Sequence, residues 1–412
     1  MFLLTASSRV KLSARHYFLV ATASWFAAFG MQNVVFAWLV TIVLREPADL
    51  VGWAQTAILA PGMVLILIAG AIADRLGPDR LALWAQAFAV LVPWLLIVPL
   101  SLGHLSYGLL IVYALMMGCA QAFVTPARDG LLNHVAEGQV QRMVMWASLS
   151  QFGFQIVGYV VAGFAQGVGA PVILTIQSVL LVVGVVAFWL IRRMGAAKVE
   201  HEGARDGVLR NISVGAKTVM ASPVMRIIVL QNVAMALFFM GAFIVAFPLV
   251  VREVFDGSSA DLAILNGVNS IGLVLTIVVL LRIGPLVRSG RALLLAQVIG
   301  GVALLLVGLM QSFPLFVALA FVWGLCGGMA MPMSRSLMQE LAPPEQRARV
   351  MSFYAVSFMG AGPLGTVFVG YLSDAIGPQN AIALCGSAML LVSLLVGIFS
   401  QLWRTRSVGV TA

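Results

Sequence analysis

The chain has 412 residues, 61% of them hydrophobic and only 9% charged, with a formal net charge of +9. Soluble globular domains are about 45–50% apolar and about 25% charged. A water-soluble fold is therefore excluded, because there are too few polar side chains to cover one. A hydrocarbon core takes about 20 residues of helix, so apolar runs of 18 or more read as membrane spans. In chain order they fall at about 17–44, 51–73, 80–102, 105–127, 145–168 and 171–191, and then at about 224–251, 260–283, 291–312, 315–335, 351–373 and 378–401. The runs are continuous and do not alternate with a period of two, so they predict helices and not barrel strands. The expectation is an all-α integral membrane protein with twelve transmembrane helices in two pseudo-symmetric six-helix halves.

The basic residues before the first run superficially resemble a signal peptide. The run is too long for a signal core and no small-residue cleavage site follows it, so it is read as an uncleaved first span. Cys119, Cys326 and Cys385 all fall within spans and form no CxxC pair, so small apolar packing is expected, with no disulfide and no metal site. Of the 24 Lys and Arg residues, only Arg45 and Arg252 fall in the odd-numbered connections. That asymmetry is the positive-inside pattern and places both termini in the cytoplasm of a bacterial-type inner membrane. The positive charge is then a topology signal, and no nucleic-acid partner is expected.

Residues 192–223 form the longest polar interruption and divide the chain into an N-terminal half, 1–191, and a C-terminal half, 224–412. Leu209, Ile212, Ala216 and Val219 would share a face of a short surface helix there. A flexible linker is the alternative, favoured slightly by Gly215. The halves repeat at an offset of 207. Arg45-Glu46 maps onto Arg252-Glu253, Gly77-Pro78 onto Gly284-Pro285, Cys119 onto Cys326, Arg128 onto Arg335, and Gly158 onto Gly365. Duplicated halves are typical of transporters, with the binding site between them near the midplane.

The connection after the second span reads GAIADRLGPDR, residues 70–80. Gly70, Asp74, Arg75 and Gly77 resemble the signature loop of the major facilitator superfamily, G-x-x-x-D-R-x-G followed by basic residues. Pro78 and Asp79 depart from that pattern, and Arg80 stands one place late. The resemblance implies a latch joining the halves on the cytoplasmic side in the outward-facing state, with Asp129 as the acid partner of the loop's basic residue. The alternative is that these charges cap helices and fix topology. Residues 337–365, LMQELAPPEQRARVMSFYAVSFMGAGPLG, are similar to a subgroup that contains the enterobactin exporter and macrolide efflux permeases. That likeness implies export. The glycines of spans five and eleven read as close helix packing; GAGPLG is also similar to an antiporter motif, but it lies in the wrong span for antiport to be inferred.

None of the 15 acids falls mid-span, so proton coupling, if it operates, must use a residue near a span end, such as Asp129, Asp74 or Asp261. The interior holds amides instead: Gln32, Asn33, Gln121, Gln151, Gln155, Asn232, Asn266 and Asn269. By the same resemblance, spans one, four, seven and ten line the cavity, beside spans two, five, eight and eleven. With Trp25, Trp323 and Tyr354 as stacking surfaces, that lining suits a neutral or weakly charged amphiphilic solute. For each amide, hydrogen bonding between helices is the competing reading. The four histidines sit near ends or loops and no acid–histidine cluster is present, so catalysis is not expected. The expected protein is a monomeric secondary transporter in a lipid bilayer, without cofactor, moving a small molecule by alternating access. Export is favoured over import of a small metabolite, and both over a non-transporting receptor or assembly factor.

Overall fold

The computed structural model describes residues 13–136, 139–195, 208–284 and 286–405. Helices α1 (Ala14–Val43), α2 (Ala48–Leu76), α3 (Pro78–Ser101), α4 (Tyr107–Val135), α5 (Val140–Gly163) and α6 (Ala170–Arg193) make up the first half. A shorter helix, α7 (Val208–Ala221), follows. The second half comprises α8 (Pro223–Glu253), α9 (Ser259–Ile283), α10 (Ser289–Val307), α11 (Phe313–Leu341), α12 (Arg347–Ile376) and α13 (Pro378–Phe399). Twelve of the thirteen are long and apolar enough to cross a membrane, and no strand occurs among the described residues. The fourth and tenth spans run on to Val135 and Leu341, past the expected ends, because the residues that stop the apolar run still propagate helix.

Local chemistry sets the helix boundaries. Ser13 and His16 form a reciprocal cap at the start of α1, and Ser258 with Asp261 does the same for α9. Gly77 and Gly284, which the 207-residue offset relates, hold φ values of 88° and 85° where one helix ends and the next begins. Only glycine takes that backbone readily. The repeat in the sequence is thus a repeat in backbone geometry.

Within the first half α1 packs on α5 and α6, α2 on α4, and α3 on α4 and α6. The second half repeats the scheme, with α8 on α12 and α13, α9 on α11, and α10 on α11 and α13. The halves meet along two seams, α2 against α12 and α5 against α9. α7 lies against α12, with Gly215 and Val219 buried and Lys217 exposed. A Cβ on Gly215 would stand 2.1 Å from the Arg349 carbonyl oxygen. This glycine therefore permits a close helix contact, and the flexible-linker alternative fails for residues 208–221.

α1 and α8, the first spans of the two halves, depart from α-helical pitch. α1 ends in a π-helical stretch, Leu39–Val43, and α8 carries two, Met235–Met240 and Ala242–Ala246. Such widened turns gather at functional sites, because they rotate the side chains beyond them relative to a regular helix.

Candidate functional site

The face at which α1 begins and α2 ends carries nearly all the arginines and is called the basic face here; the other is the opposite face. At the opposite face the seams close to backbone contact. A Cβ on Gly52 would lie 2.6 Å from the Thr366 carbonyl oxygen and 3.0 Å from Gly370 Cα. One turn on, the Thr56 and Thr366 hydroxyls stand 2.7 Å apart, and the Trp53 indole donates to the Tyr371 hydroxyl at 3.3 Å. In the other seam the Ser259 hydroxyl donates to the Gly163 carbonyl at 2.9 Å and accepts from the Gln166 amide at 3.0 Å. Arg252, at the end of α8, reaches across to the first half. Its Nη1 donates to the carbonyls of Thr41 (3.2 Å) and Glu46 (2.7 Å), and its Nη2 pairs with Glu253. These acceptors lie at the C-terminal end of α1, where unsatisfied carbonyls favour a cation.

From the midplane toward the basic face the first seam changes character. Gly62 meets only the Met359 methyl at 3.3 Å, Gly360 only the Met63 methyl at 3.9 Å, and Gly362 the Met240 sulfur at 3.3 Å. Flexible thioether tips replace backbone there. In the other seam Gly153 and Gly267 have nothing against them within 4 Å. The hydrogen bonds that Thr56, Trp53, Ser259 and Arg252 make between the halves all lie between the midplane and the opposite face.

At the midplane the structure joins two of the expected amides through a residue that sequence reasoning passed over. Tyr159 is 3% exposed, and its hydroxyl accepts from the Gln155 amide at 2.6 Å. Asn33 of α1 and Ser270 of α9 lie close to the same hydroxyl. Three helices and both halves thus meet at one oxygen. The glycine crossing of α1 and α5 makes this possible. A Cβ on Gly158 would stand 2.2 Å from the Ala27 carbonyl, and one on Gly30 would stand 2.3 Å from that of Gln155.

The other expected residues divide. Asn232 donates to the Tyr354 carbonyl (3.2 Å) and the Ser357 hydroxyl (3.0 Å), and the Tyr354 hydroxyl donates to Ser334 at 2.9 Å. Asn269 donates to the Ala320 carbonyl at 3.1 Å, and Asn266 to the Leu262 carbonyl of its own helix at 2.8 Å. Asn232, Asn269 and Tyr354 thus hold neighbouring helices together, while Asn266 is satisfied within its own helix. Gln121 and Gln151 are half-buried and bond to no described residue, while the amide nitrogen of fully buried Gln32 has no partner. Trp25 is buried in the apolar core. Trp323 is half-buried among Phe239, Phe243 and Phe247, with ring centroids 5.2–5.9 Å apart, beside the π-helical stretches of α8. Gln231 was also missed: it is fully buried and both of its amide atoms lack partners.

Of the signature loop, Gly70, Asp74 and Arg75 lie in the last turns of α2, and the surroundings of Gly70 and the side chains of Asp74 and Arg75 are outside the described part of the structure. Gly77 forms the positive-φ corner, Asp79 is buried in the first turn of α3, and Arg80 is exposed. Asp129 is 67% exposed, and the structure brings it to its neighbour Arg128 (3.5 Å), not to Arg80. Arg128 is itself buried, with its guanidinium 4.6 Å above the Phe26 ring and its Nη1 unpartnered. Asp261 is held in its helix cap, accepting from Ser258 at 2.7 and 2.8 Å. The cysteines are free, and no His, Cys, Asp and Glu cluster suited to a metal occurs among the described residues.

Residues 6–411 match the family model described as transmembrane secretion effector. The multidrug efflux pump Tap of Mycolicibacterium fortuitum is 25% identical, covering 90% of this chain and 92% of its own length. The staphyloferrin A transporter of Staphylococcus aureus is 22% identical, covering 92% of each. Among solved structures, the nucleoside transporter NupG aligns with a TM-score of 0.69 at 11% identity, over 93% of this chain and 98% of its own. A bacterial homologue of the lysosomal transporter Spinster, inward-facing and unoccupied, gives 0.68 at 13% identity over 97% of each chain.

Proposed function

The chain belongs to the transmembrane secretion effector family of the major facilitator superfamily, and from that premise we propose that it exports a small amphiphilic solute by alternating access. The observation that carries the reading is the asymmetry of the seams: backbone contact between the halves at the opposite face, and methionine tips or open space at the glycines nearer the midplane. Each half packs within itself as a unit and meets the other mainly along two seams, so rocking one half against the other moves those seams and leaves the packing within each half intact. The basic face is assigned to the cytoplasm by its arginines, and the described state is then inward-facing and ready to receive solute from the cell.

The solute-contacting groups on this reading are Asn33, Gln155 and Tyr159 from one half, Ser270 from the other, and Gln121 and Gln151, which bond to no described residue. Trp323 and Phe243 supply an aromatic wall, and Met63, Met240 and Met359 an adaptable apolar one. No carboxylate stands among them. Proton coupling, where it operates, then rests on Asp74 or Asp129 near the basic face, since Asp261 is engaged in its cap. Transport down the solute's own gradient is the alternative. Gly70, Asp74, Arg75, Gly77 and Arg80 are assigned to the latch that forms when the halves close on that face. Asn232, Asn266, Asn269, Tyr354 and Trp25 serve the scaffold.

Untargeted mass spectrometry of cells and medium tests the proposal, comparing a deletion strain, a complemented strain and an Asp74→Asn strain. A compound retained by deleted cells and missing from their medium is the expected result. The reverse pattern means import, and no difference under any growth condition would overturn transport itself.

A further inference from the structure

A cavity of about 430 Å3 opens at the basic face, between the start of α1, the end of α4 and the start of α5. All three helices belong to the first half, and neither seam between the halves contributes to the lining. Arg15, His16, Arg142, Gln139, Leu19 and Trp146 line it, and no carboxylate does so among the described residues.

The cationic groups are positioned, not merely nearby. Arg15 donates from Nη2 to the Ala136 carbonyl at 3.0 Å and from Nε to that of Val135 at 3.3 Å. The last carbonyls of α4 thus fix its guanidinium against the cavity wall. His16 Nδ1 accepts from the Ser13 amide at 3.3 Å. The backbone group can only donate, so the ring proton of neutral His16 sits on Nε2 and is available as a donor. Arg142, Trp146 and Leu149 are spaced to share one face of α5, and all three are exposed, Trp146 at 49% and Leu149 at 57%. The cavity therefore joins a cationic, donor-rich end to an exposed aromatic and aliphatic strip. A membrane-interface position suits both, since tryptophan favours the headgroup level and basic pockets there attract anionic lipid.

We propose that this cavity binds the phosphodiester of an anionic phospholipid of the phosphatidylglycerol type. The phosphate oxygens accept from Arg142, Arg15 and His16, and the glycerol and upper acyl chain lie along Trp146 and Leu149. Guanidinium forks match phosphate geometry better than an ammonium would. A lipid held there ties together the ends of three helices of the first half without crossing either seam. It stiffens that half and does not gate the pathway. The inference stands independently of the direction of transport.

The test uses the full-length protein in phosphatidylcholine nanodiscs with and without phosphatidylglycerol, reading bound lipid by native mass spectrometry and stability by thermal melting. Phosphatidylglycerol is expected to be retained and to raise Tm. At about 1 kcal/mol per basic residue near an anionic surface, Arg142→Gln should weaken retention about fivefold, and Arg142→Glu more. Trp146→Ala should weaken lipid binding while leaving that of glycerol 1-phosphate unchanged. Equal melting of the variants in phosphatidylcholine alone separates loss of the site from loss of the fold. Unchanged retention in Arg142→Glu would overturn the proposal. So would an equal loss in Arg288→Gln, an exposed arginine of the other half, because that marks diffuse attraction. If glycerol 1-phosphate competes as well as the lipid does, the ligand is a soluble phosphate and the lipid assignment fails.

Discussion

Gly52→Ala places a methyl group where the α2–α12 seam has no room. The new Cβ lies 2.6 Å from the Thr366 carbonyl oxygen and 3.0 Å from Gly370 Cα. Both are backbone atoms, so no side chain can swing aside and the seam itself must part. Overpacking of this kind costs about 1–3 kcal/mol. The cost falls only on the state in which the halves touch at the opposite face. The equilibrium should therefore move about 5- to 150-fold toward the state open on that face. The assay is a distance distribution between spin labels at Leu102 and Leu309, exposed residues at the opposite-face ends of α3 and α10, in a background lacking the three native cysteines. Gly52→Ala should lengthen the dominant distance and slow export. Gly30→Ala is the control: its Cβ would stand 2.3 Å from the Gln155 carbonyl, but both residues belong to one half. That variant should lower Tm and leave the distance distribution unchanged. An unshifted distribution in Gly52→Ala, or an equal shift in Gly30→Ala, would refute the assignment of this seam as a moving surface.

Arg252→Ala removes the donors to the Thr41 and Glu46 carbonyls, each a charged hydrogen bond of about 1.5–3 kcal/mol; the same label pair should lengthen, with Arg252→Lys shifting less. Tyr159→Phe strips the hydroxyl that accepts from Gln155 and that Asn33 and Ser270 approach, and should lower Tm by leaving the Gln155 amide without its partner. If Tyr159 also meets solute, KM for export rises in the same variant, whereas a purely structural role moves Tm alone. Asp74→Asn should slow transport while membrane insertion and Tm stay normal, and normal transport by a normally expressed protein would rule out the latch.

The spans and the two-fold repeat were readable from sequence because lipid imposes one dominant constraint: each span must satisfy its own backbone and present apolar side chains. Glycines at matched offsets marked corners and crossings for the same reason. Individual site residues were less readable. Asn232 and Asn269 carry the same chemistry as Asn33, yet they bind carbonyls on neighbouring helices, and only the packing distinguishes them. Tyr159 reads as one more aromatic in an aliphatic span. Its i, i+4 spacing from Gln155, four residues and one turn away, was the available signal. The π-helical stretches of α1 and α8 left no local mark, since LVTIV and MALFFM would fill a regular helix equally well. Gly215 misled, because a glycine in a polar segment weakens a helix alone but strengthens one that must lie against another backbone.

Glycine serves two different purposes in this bundle, and the distinction bears on how the protein moves. Gly30 and Gly158 bring α1 and α5 together inside one half, where Gln155 and Tyr159 add a hydrogen bond and Asn33 lies close by. Gly52, Gly163 and Gly370 bring helices together across the seams. Between helices in lipid no hydrophobic force operates, so close van der Waals contact and hydrogen bonds of about 0.6 kcal/mol each hold a seam shut. The opposite-face seams are joined by the Thr56–Thr366, Trp53–Tyr371 and Ser259–Gly163 bonds together with the Arg252 bridge. The three neutral contacts together come to about 2 kcal/mol on that scale. With the two charged hydrogen bonds of Arg252, about 1.5–3 kcal/mol each, the seams come to about 5–8 kcal/mol. That is within reach of the binding free energy of a micromolar solute, about 8 kcal/mol. A solute that contacts Asn33 and Gln155 on one side and Ser270 on the other can therefore offset the opening of the opposite face, provided it contacts both halves more fully when they close on the basic one. Bulk alone does not open the seam; differential contact does.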